Sequence, residues 1–294
     1  MTSDEMTRSD YKKVAVFSKP HPDAREVLGH IAACLQRHGV DMLADPTTAR
    51  VLDREASILR EKAVDRADLV ISVGGDGTLL ATSRAVGSRS LPILGVNLGS
   101  LGFLTETRCG EVEDVLDAVL EGRAPIEKRW PLTVRKNGAP ARSHHVAMND
   151  VVFSKRNLAR LFVLSVLLDE EWVTDFRADG LIIASPTGST AYSLAAGGPL
   201  VLPGVDALVV TPICPHSLSQ RPLLFPGNAK ITVRLAKGQR TKNVQVTLDG
   251  QVGFPFAPEE RVVIARCETP VRLVRPPGRS YFRVLRDKLG WGQH

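Results

Sequence analysis

The chain has 294 residues, 43% of them hydrophobic and 24% charged, enough apolar material for one large core or two modest ones. Its formal charge of +6 comes from 38 basic and 32 acidic side chains spread along the chain, without the dense basic block of a nucleic-acid footprint. No apolar run approaches the roughly 18 residues of a membrane-spanning helix. Residues 1–13 carry no apolar signal-peptide core, and Cys34, Cys109, Cys214 and Cys267 form no CxxC pair or zinc-type spacing. Reduced thiols and a cytoplasmic location are expected.

The first hundred residues alternate between two periods. Val14–Phe17 is a short apolar run ended by Ser18-Lys19-Pro20, a strand followed by breakers. Val27, Leu28, Ile31, Ala32 and Leu35 stand at helical spacing within 24–38, and Gly39 supplies the stop. A second strand is expected over 41–44, a third over 67–73, a helix over 79–86, a strand over 93–96 after Pro92, and an amphipathic helix over 111–120. Strands alternating with helices indicate βαβ units around a parallel sheet.

From about Pro125 the texture becomes β. Strand-like runs are expected at 130–134, 151–153, 161–168, 181–184, 207–210, 231–235, 244–248, 261–265 and 271–274, separated by Gly, Pro, Asn and charged clusters. The tail, 281–289, reads as a helix able to pack back on the first domain. The expected organisation is an α/β N-terminal domain over 1–123, joined by a helix at about 279–294, and a largely β domain over 124–278.

Four clusters carry candidate chemistry. Gly74-Gly75-Asp76-Gly77-Thr78 follows a strand and opens a helix, so three glycines let the backbone approach a ligand and the helix start aims N–H groups at phosphate. A carboxylate in such a loop repels phosphate unless it binds a metal or takes a proton from a nucleophile, and both roles belong to phosphoryl transfer. The competing explanation is a plain turn with Asp76 as helix cap. Asn97-Leu98-Gly99-Ser100-Leu101-Gly102-Phe103-Leu104 is a second bent loop after a strand, where open α/β sheets bind ligands. Asn149-Asp150 by itself reads as a turn. The fourth runs from Asp179-Gly180 through Ser185-Pro186-Thr187-Gly188-Ser189-Thr190-Ala191-Tyr192-Ser193 to Gly197-Gly198-Pro199. Its hydroxyls and amides suit ribose and phosphate, and Tyr192 could stack on a ring; alternatively, its small residues serve close packing. The P-loop, GxGxxG and GxSxG patterns are absent. His144-His145 reads as an exposed loop and His216 as a core or turn histidine.

In this order the clusters resemble the NAD kinase family: GGDGT at 74–78, NLGSLGFL at 97–104, ND at 149–150, DGLIIASPTGSTAYSLAAGGP at 179–199, PHSLSQRPL at 215–223 and DGQ at 249–251. The likeness covers the chain from about Lys13 onward, tail included, and is similar to proteobacterial members. GGDGT alone is shared with diacylglycerol and sphingosine kinases; its combination with SPTGSTAYS is much more specific.

The resemblance implies phosphoryl transfer from ATP to the adenosine ribose 2′-hydroxyl of NAD, giving NADP and ADP. It also implies a site between the two domains, a divalent cation of the Mg²⁺ type with unknown ligands, and a homo-oligomer, dimer or tetramer; the spread charge and the lack of a long apolar run leave neither nucleic acid nor membrane expected as partner. Carried over by position, Asp76 is implied as the base, with Gly74, Gly75, Gly77 and Thr78 forming the donor loop. Gly77, Asn149, Asp150, Arg160, Arg177, Asp179, Thr190, Ala191, Tyr192, Ser193, Leu194, Ala195 and Gln251 are implied in NAD binding. Ala184-Ser185 departs from the Ser-Thr common in the family, and aspartate at 150 falls within its range. Two other classes fit part of the pattern. A lipid kinase explains GGDGT but not SPTGSTAYS, and a non-catalytic dinucleotide sensor has no use for Asp76.

Overall fold

The computed structural model describes residues 11–137, 145–155, 162–217, 219–239 and 243–291, which fall into two compact units, Met1–Lys128 with Val271–His294, and Arg129–Pro270. The first unit begins β1 (Lys13–Ser18), α1 (Ala24–Arg37), β2 (Asp41–Ala44), α2 (Pro46–Val51), α3 (Arg60–Arg66), β3 (Leu69–Gly74), α4 (Asp76–Val86), β4 (Pro92–Asn97), β5 (Thr107–Arg108), α5 (Val112–Leu120) and β6 (Ile126–Arg129). In the second follow β7 (Leu132–Lys136), β8 (His145–Ala147), β9 (Asp150–Lys155), β10 (Phe162–Leu168), β11 (Glu171–Ala178) and β12 (Gly180–Ala184). A 3-10 turn (Thr187–Thr190) and the single turn α6 (Tyr192–Ala195) lead to β13 (Ala207–Ile213), β14 (Leu223–Pro226), β15 (Ile231–Leu235), β16 (Val244–Leu248), β17 (Val252–Phe256) and β18 (Arg261–Arg266). The chain then returns to the first unit as β19 (Val271–Val274) and α7 (Tyr281–Leu289).

The first unit is built on a seven-stranded sheet of order β2-β1-β3-β4-β19-β6, with β5 beside β4. β1, β3 and β4 are parallel neighbours and fully buried apart from Lys13, which is why they read as unbroken apolar runs. Their C-terminal ends carry Ser18, Gly74 and Asn97, so the glycine loop and the NLGSLGFL loop leave adjacent strands at one end of the sheet.

β19 differs from expectation: it pairs parallel to β4, Leu273 opposite Ile93, and so belongs to the first sheet although sequence pattern groups it with the β region. Its place is secured by Arg275, which donates to Glu106 at 2.9 Å and Glu127 at 3.0 Å, and by Arg279, which donates to Glu111 at 2.8 Å. α2 and α3 are additions to the expected elements. α2 carries a local signal nonetheless: Asp45 is its N-cap, accepting the Thr48 N–H at 2.8 Å, with Pro46 in the first turn.

The second unit is two six-stranded antiparallel sheets, of order β11-β10-β15-β18-β7-β8 and β14-β13-β12-β9-β16-β17. Val134, Leu164, Val166 and Val233 of one meet Val151, Phe153, Leu181 and Val246 of the other in a single core. Val152, Ile182, Ala184 and Val209 point the other way, into a smaller cluster with Val201. β12 is therefore buried on both faces, which explains its continuous Leu181-Ile182-Ile183-Ala184 run. Among the described residues no helix is long and apolar enough to cross a membrane, and all four cysteines are free thiols.

Candidate functional site

In the first unit the glycine loop is organised around Asp76. Gly75, extended at φ −131° and ψ −170°, is the N-cap of α4, and Asp76 is its first residue. The capping explanation is thus corrected: the Asp76 carboxylate does not cap α4 but turns to the NLGSLGFL loop. Its Oδ2 accepts the Phe103 N–H at 2.9 Å. Its Oδ1 accepts the N–H groups of Leu104 and Thr105 at 3.1 and 3.0 Å and the Thr105 hydroxyl at 2.9 Å. The loop is pinned in turn, because Asn97 Nδ2 donates to Thr105 Oγ1 at 2.7 Å and the Leu98 N–H to Gly74 O at 2.8 Å. A carboxylate oxygen takes about two hydrogen bonds. Oδ1 is saturated and Oδ2, with one, is the atom with room for another proton donor.

Two glycines are explained by this packing. A Cβ on Gly102 would lie 2.0 Å from Asp76 Oδ1, and one on Gly74 would lie 2.3 Å from Thr78 Oγ1. Gly77, in the first turn of α4, is exposed. Thr105 is absent from the sequence-derived set; it stands one residue past the quoted loop and only the fold shows it reaching back to Asp76.

In the second unit, Asn149 precedes β9 and Asp150 opens it, and Asn149 lies against the Ser185–Thr190 turn. The Ser185 N–H donates to Asn149 O at 2.9 Å and its hydroxyl to Met148 O at 2.7 Å. Asn149 is half-buried, while Asp150 is only 4% exposed. Burial first, and the neighbouring Asp249 carboxylate second, push the Asp150 carboxyl up to about 7.

The hydroxyls of Ser185, Ser189, Thr190 and Ser193 have partners within the second unit. Ser189 Oγ donates to Pro186 O or Val201 O and accepts the Val201 N–H, Thr190 Oγ1 donates to Thr187 O at 3.1 Å, and the buried Ser193 shares a hydrogen with Thr211 at 2.8 Å. These hydroxyls hold the turn together. Thr190, Ala191 and Leu194 are half-buried and Ala195 exposed.

Tyr192 is 48% exposed, so it is not a core aromatic. If the ring stacks on NAD as the resemblance implies, Tyr192→Ala should cost roughly 1–2 kcal/mol of NAD affinity with little loss of melting temperature. Calorimetric titration beside thermal unfolding of the same variant checks this; a strong melting loss with unchanged affinity would remove the ring from the site.

Arg177 is exposed on β11, and Asp179 follows it. Lys155, not foreseen, donates to Asp179 at 2.6 Å and holds its carboxyl below the usual range, with His216 adding a smaller effect. Gln251 lies at the β16–β17 turn, its N–H donating to Leu248 O at 2.9 Å. Arg160, His144 and Leu218 of the PHSLSQRPL stretch lie outside the described residues. A concavity of about 180 Å³ beside Pro186, Thr187, Trp130 and Arg266 is too small for a dinucleotide and contains none of the residues assigned to NAD.

Cys34 and His38, one helical turn apart, do meet Asp117 of α5, a grouping that pattern reading does not anticipate. Each donates to Asp117 Oδ1, at 3.1 and 2.8 Å respectively, if His38 is protonated at Nε2. Burial, then Asp117, push the Cys34 thiol up to about 12, and Arg37 stands 3.7 Å from the same carboxylate. These hydrogen bonds join the C-terminal end of α1 to α5.

Residues 16–124 match the family model of the ATP-NAD kinase N-terminal domain, and residues 148–276 that of the ATP-NAD kinase C-terminal domain. An NAD kinase of Geotalea daltonii is 43% identical over 285 residues, covering 96% of this chain and 99% of its own length. One of Geobacter sulfurreducens is 42% identical with the same coverage. Among solved structures, yeast NADH kinase complexed with NADH matches at a TM-score of 0.86 and 29% identity, covering 96% of this chain and 89% of that one. An NAD kinase from Archaeoglobus fulgidus in complex with ATP matches at 0.76 and 26%, covering 95% and 98%.

Proposed function

The chain belongs to the NAD kinase family and moves a phosphoryl group from ATP to the adenosine ribose 2′-hydroxyl of NAD, and we propose that Asp76 is the base for that hydroxyl. A ribose hydroxyl is a poor nucleophile, so the reaction needs positioning, a proton acceptor and charge neutralisation. The observation that carries the assignment is the state of Asp76 itself. Four donors from 103–105 fix the carboxylate while Oδ2 keeps a free acceptor position beside the glycine loop. Asn149 and Asp150 hold the ribose, the exposed Tyr192 ring offers a face to the dinucleotide, and Gly74, Gly75, Gly77 and Thr78 receive the donor's phosphates at the start of α4. Arg160, Arg177, Asp179 and Gln251 complete the assignment, Arg177 supplying positive charge. Ser193 serves beneath the turn, through Thr211.

The family uses a divalent metal cation with ATP. A cation on Oδ1 would displace three donors, and Oδ2 is the position given to the hydroxyl proton, so Asp76 is not assigned as its ligand. We take the cation to be Mg²⁺, held by phosphate oxygens and water, where it neutralises triphosphate charge. A homo-oligomer is supported by exposed Trp172 and Leu224 on the edge strands β11 and β14, apolar groups that a second copy would cover. The four free thiols suit the cytoplasm.

The test is NADP⁺ formation from NAD and ATP, run beside a diacylglycerol suspension. Lipid phosphorylation, or NAD binding by folded protein without NADP⁺, would overturn the function in favour of the lipid-kinase or sensor class. Asn149→Ala and Asp150→Ala should each weaken NAD binding by about 1–3 kcal/mol, the value of a lost hydrogen bond to a bound hydroxyl, while the KM for ATP moves much less. Equal damage to both substrates would mark the pair as a structural turn.

A further inference from the structure

Asp249 opens the two-residue turn between β16 and β17. Asp249 and Gly250 both sit at positive φ, 51° and 64°, and the Gln251 N–H closes on Leu248 O at 2.9 Å. This is the mirror-image hairpin turn in which Asp-Gly is favoured. The turn accounts for the backbone of Asp249 but not for where its carboxylate goes. Oδ1 accepts the N–H groups of Asn149 at 2.8 Å and Asp150 at 3.3 Å, and Oδ2 accepts that of Met148 at 3.1 Å. Its own N–H donates back to Asp150 O at 3.0 Å.

Three successive main-chain N–H groups converging on one carboxylate clamp the backbone where Asn149 and Asp150 emerge. The clamp also sets one carboxylate beside another, buried one, a like-charge contact that closing a hairpin does not require. We propose that Asp249 is a positioning residue for ribose recognition, fixing the main chain of Met148–Asp150 so that the Asn149 and Asp150 side chains meet the hydroxyls of NAD. This rests on the assignment of those two side chains to the ribose.

The clamp has an electrostatic consequence. Asp249 is the charged group facing Asp150 among the described residues; Ala184 stands opposite it on β12, β16 carries no charge, and the Thr187–Thr190 turn carries none. Asp150 titrates at about 7, so NAD affinity should strengthen as pH rises through that value and its carboxylate becomes available to accept. Removing the Asp249 charge lowers the Asp150 pKa, and the midpoint follows it downward.

The test uses Asp249→Asn, which tolerates positive φ but gives up the charge and one acceptor oxygen, and Asp249→Gly, which keeps the turn and removes the side chain. NAD affinity by calorimetry from pH 5.5 to 8.5, the KM for ATP and the melting temperature are measured for both, with Asn149→Ala in parallel. Expected are an NAD affinity weaker by about tenfold, a nearly unchanged KM for ATP, and a midpoint moved to lower pH in Asp249→Asn. If Asn149→Ala binds NAD normally, the ribose assignment itself fails, and this proposal with it. If Asn149→Ala weakens NAD but both Asp249 variants keep the wild-type affinity and midpoint, the positioning role alone is overturned. Lower melting with unaltered binding overturns it as well, leaving Asp249 a hairpin residue.

Discussion

Asp76→Asn is expected to lower kcat by a factor on the order of 10² or more while NAD still binds, because an amide cannot take up the hydroxyl proton. The variant should fold. Asparagine's carbonyl oxygen can replace Oδ1 beneath the N–H groups of Leu104 and Thr105 and the Thr105 hydroxyl. Its NH₂ group then stands where Oδ2 accepted the Phe103 N–H, donor against donor. One lost hydrogen bond costs about 1–3 kcal/mol, a drop of a few degrees in melting temperature. A fall in kcat with little change in either KM is the signature of a contribution made in the transition state. Rates of NADP⁺ formation, NAD calorimetry and thermal unfolding on the same preparation separate the terms. A near-normal kcat would move the base elsewhere and leave Asp76 as the residue that anchors the 103–105 loop.

Much of the fold is legible in the chain because each strand and each helix keeps its own period. The buried parallel strands β1, β3 and β4 are unbroken apolar runs, and α1 places Val27, Leu28, Ile31 and Leu35 on its buried face. Elements escape the pattern where that signal is weak. β11, Glu171–Ala178, is an edge strand with a largely exposed pattern, and it joins β10 through Asp169 and Glu170, both at positive φ without a glycine to announce the turn. β19 looks like any β-domain strand, because nothing in Val271–Val274 states which sheet it enters; the choice is made by long-range pairing with β4 and by Arg275 reaching Glu106 and Glu127.

The site divides in the same way. Its motifs are short and local, so Asp76 and Tyr192 stand out in the sequence, while Asn149 and Asp150 read as a turn until the family resemblance singles them out. The groups that orient them come from far along the chain. Asp249 lies 99 residues from Asp150, Thr105 lies 29 from Asp76, and Lys155 lies 24 from Asp179. Hydroxyl density leaves the partners open for a related reason. Composition shows that Ser185, Ser189 and Ser193 can bond, but only tertiary structure shows that their partners are Met148, Val201 and Thr211.

Gly188→Ala should be the most damaging small substitution in the second unit. A Cβ there would lie 2.0 Å from Asn149 O, 2.4 Å from its carbonyl carbon and 2.7 Å from its Cα, all main-chain atoms unable to rotate away. Neither side can give easily. Asn149 is bound to the turn by the Ser185 N–H at 2.9 Å and to Asp249 at 2.8 Å, while Val201 holds the turn through Ser189 at 3.0 Å. Relief requires about an ångström of separation, which breaks the Ser185–Asn149 bond. Overpacking of about 1–3 kcal/mol and a buried hydrogen bond of similar size then add. Because the displaced residue carries a proposed ribose ligand, NAD affinity should fall by about tenfold or more even at temperatures where the variant is folded. Gly29→Ala makes the contrast: it lies inside α1, an added Cβ meets nothing within 4 Å, and helix propensity predicts a gain of roughly 0.5–1 kcal/mol. Thermal unfolding of both variants and NAD calorimetry of Gly188→Ala decide the matter. A Gly188→Ala protein that melts and binds like the wild type would show that the turn adjusts freely, and that its contact with Asn149 does not set the position of the ribose-binding side chains.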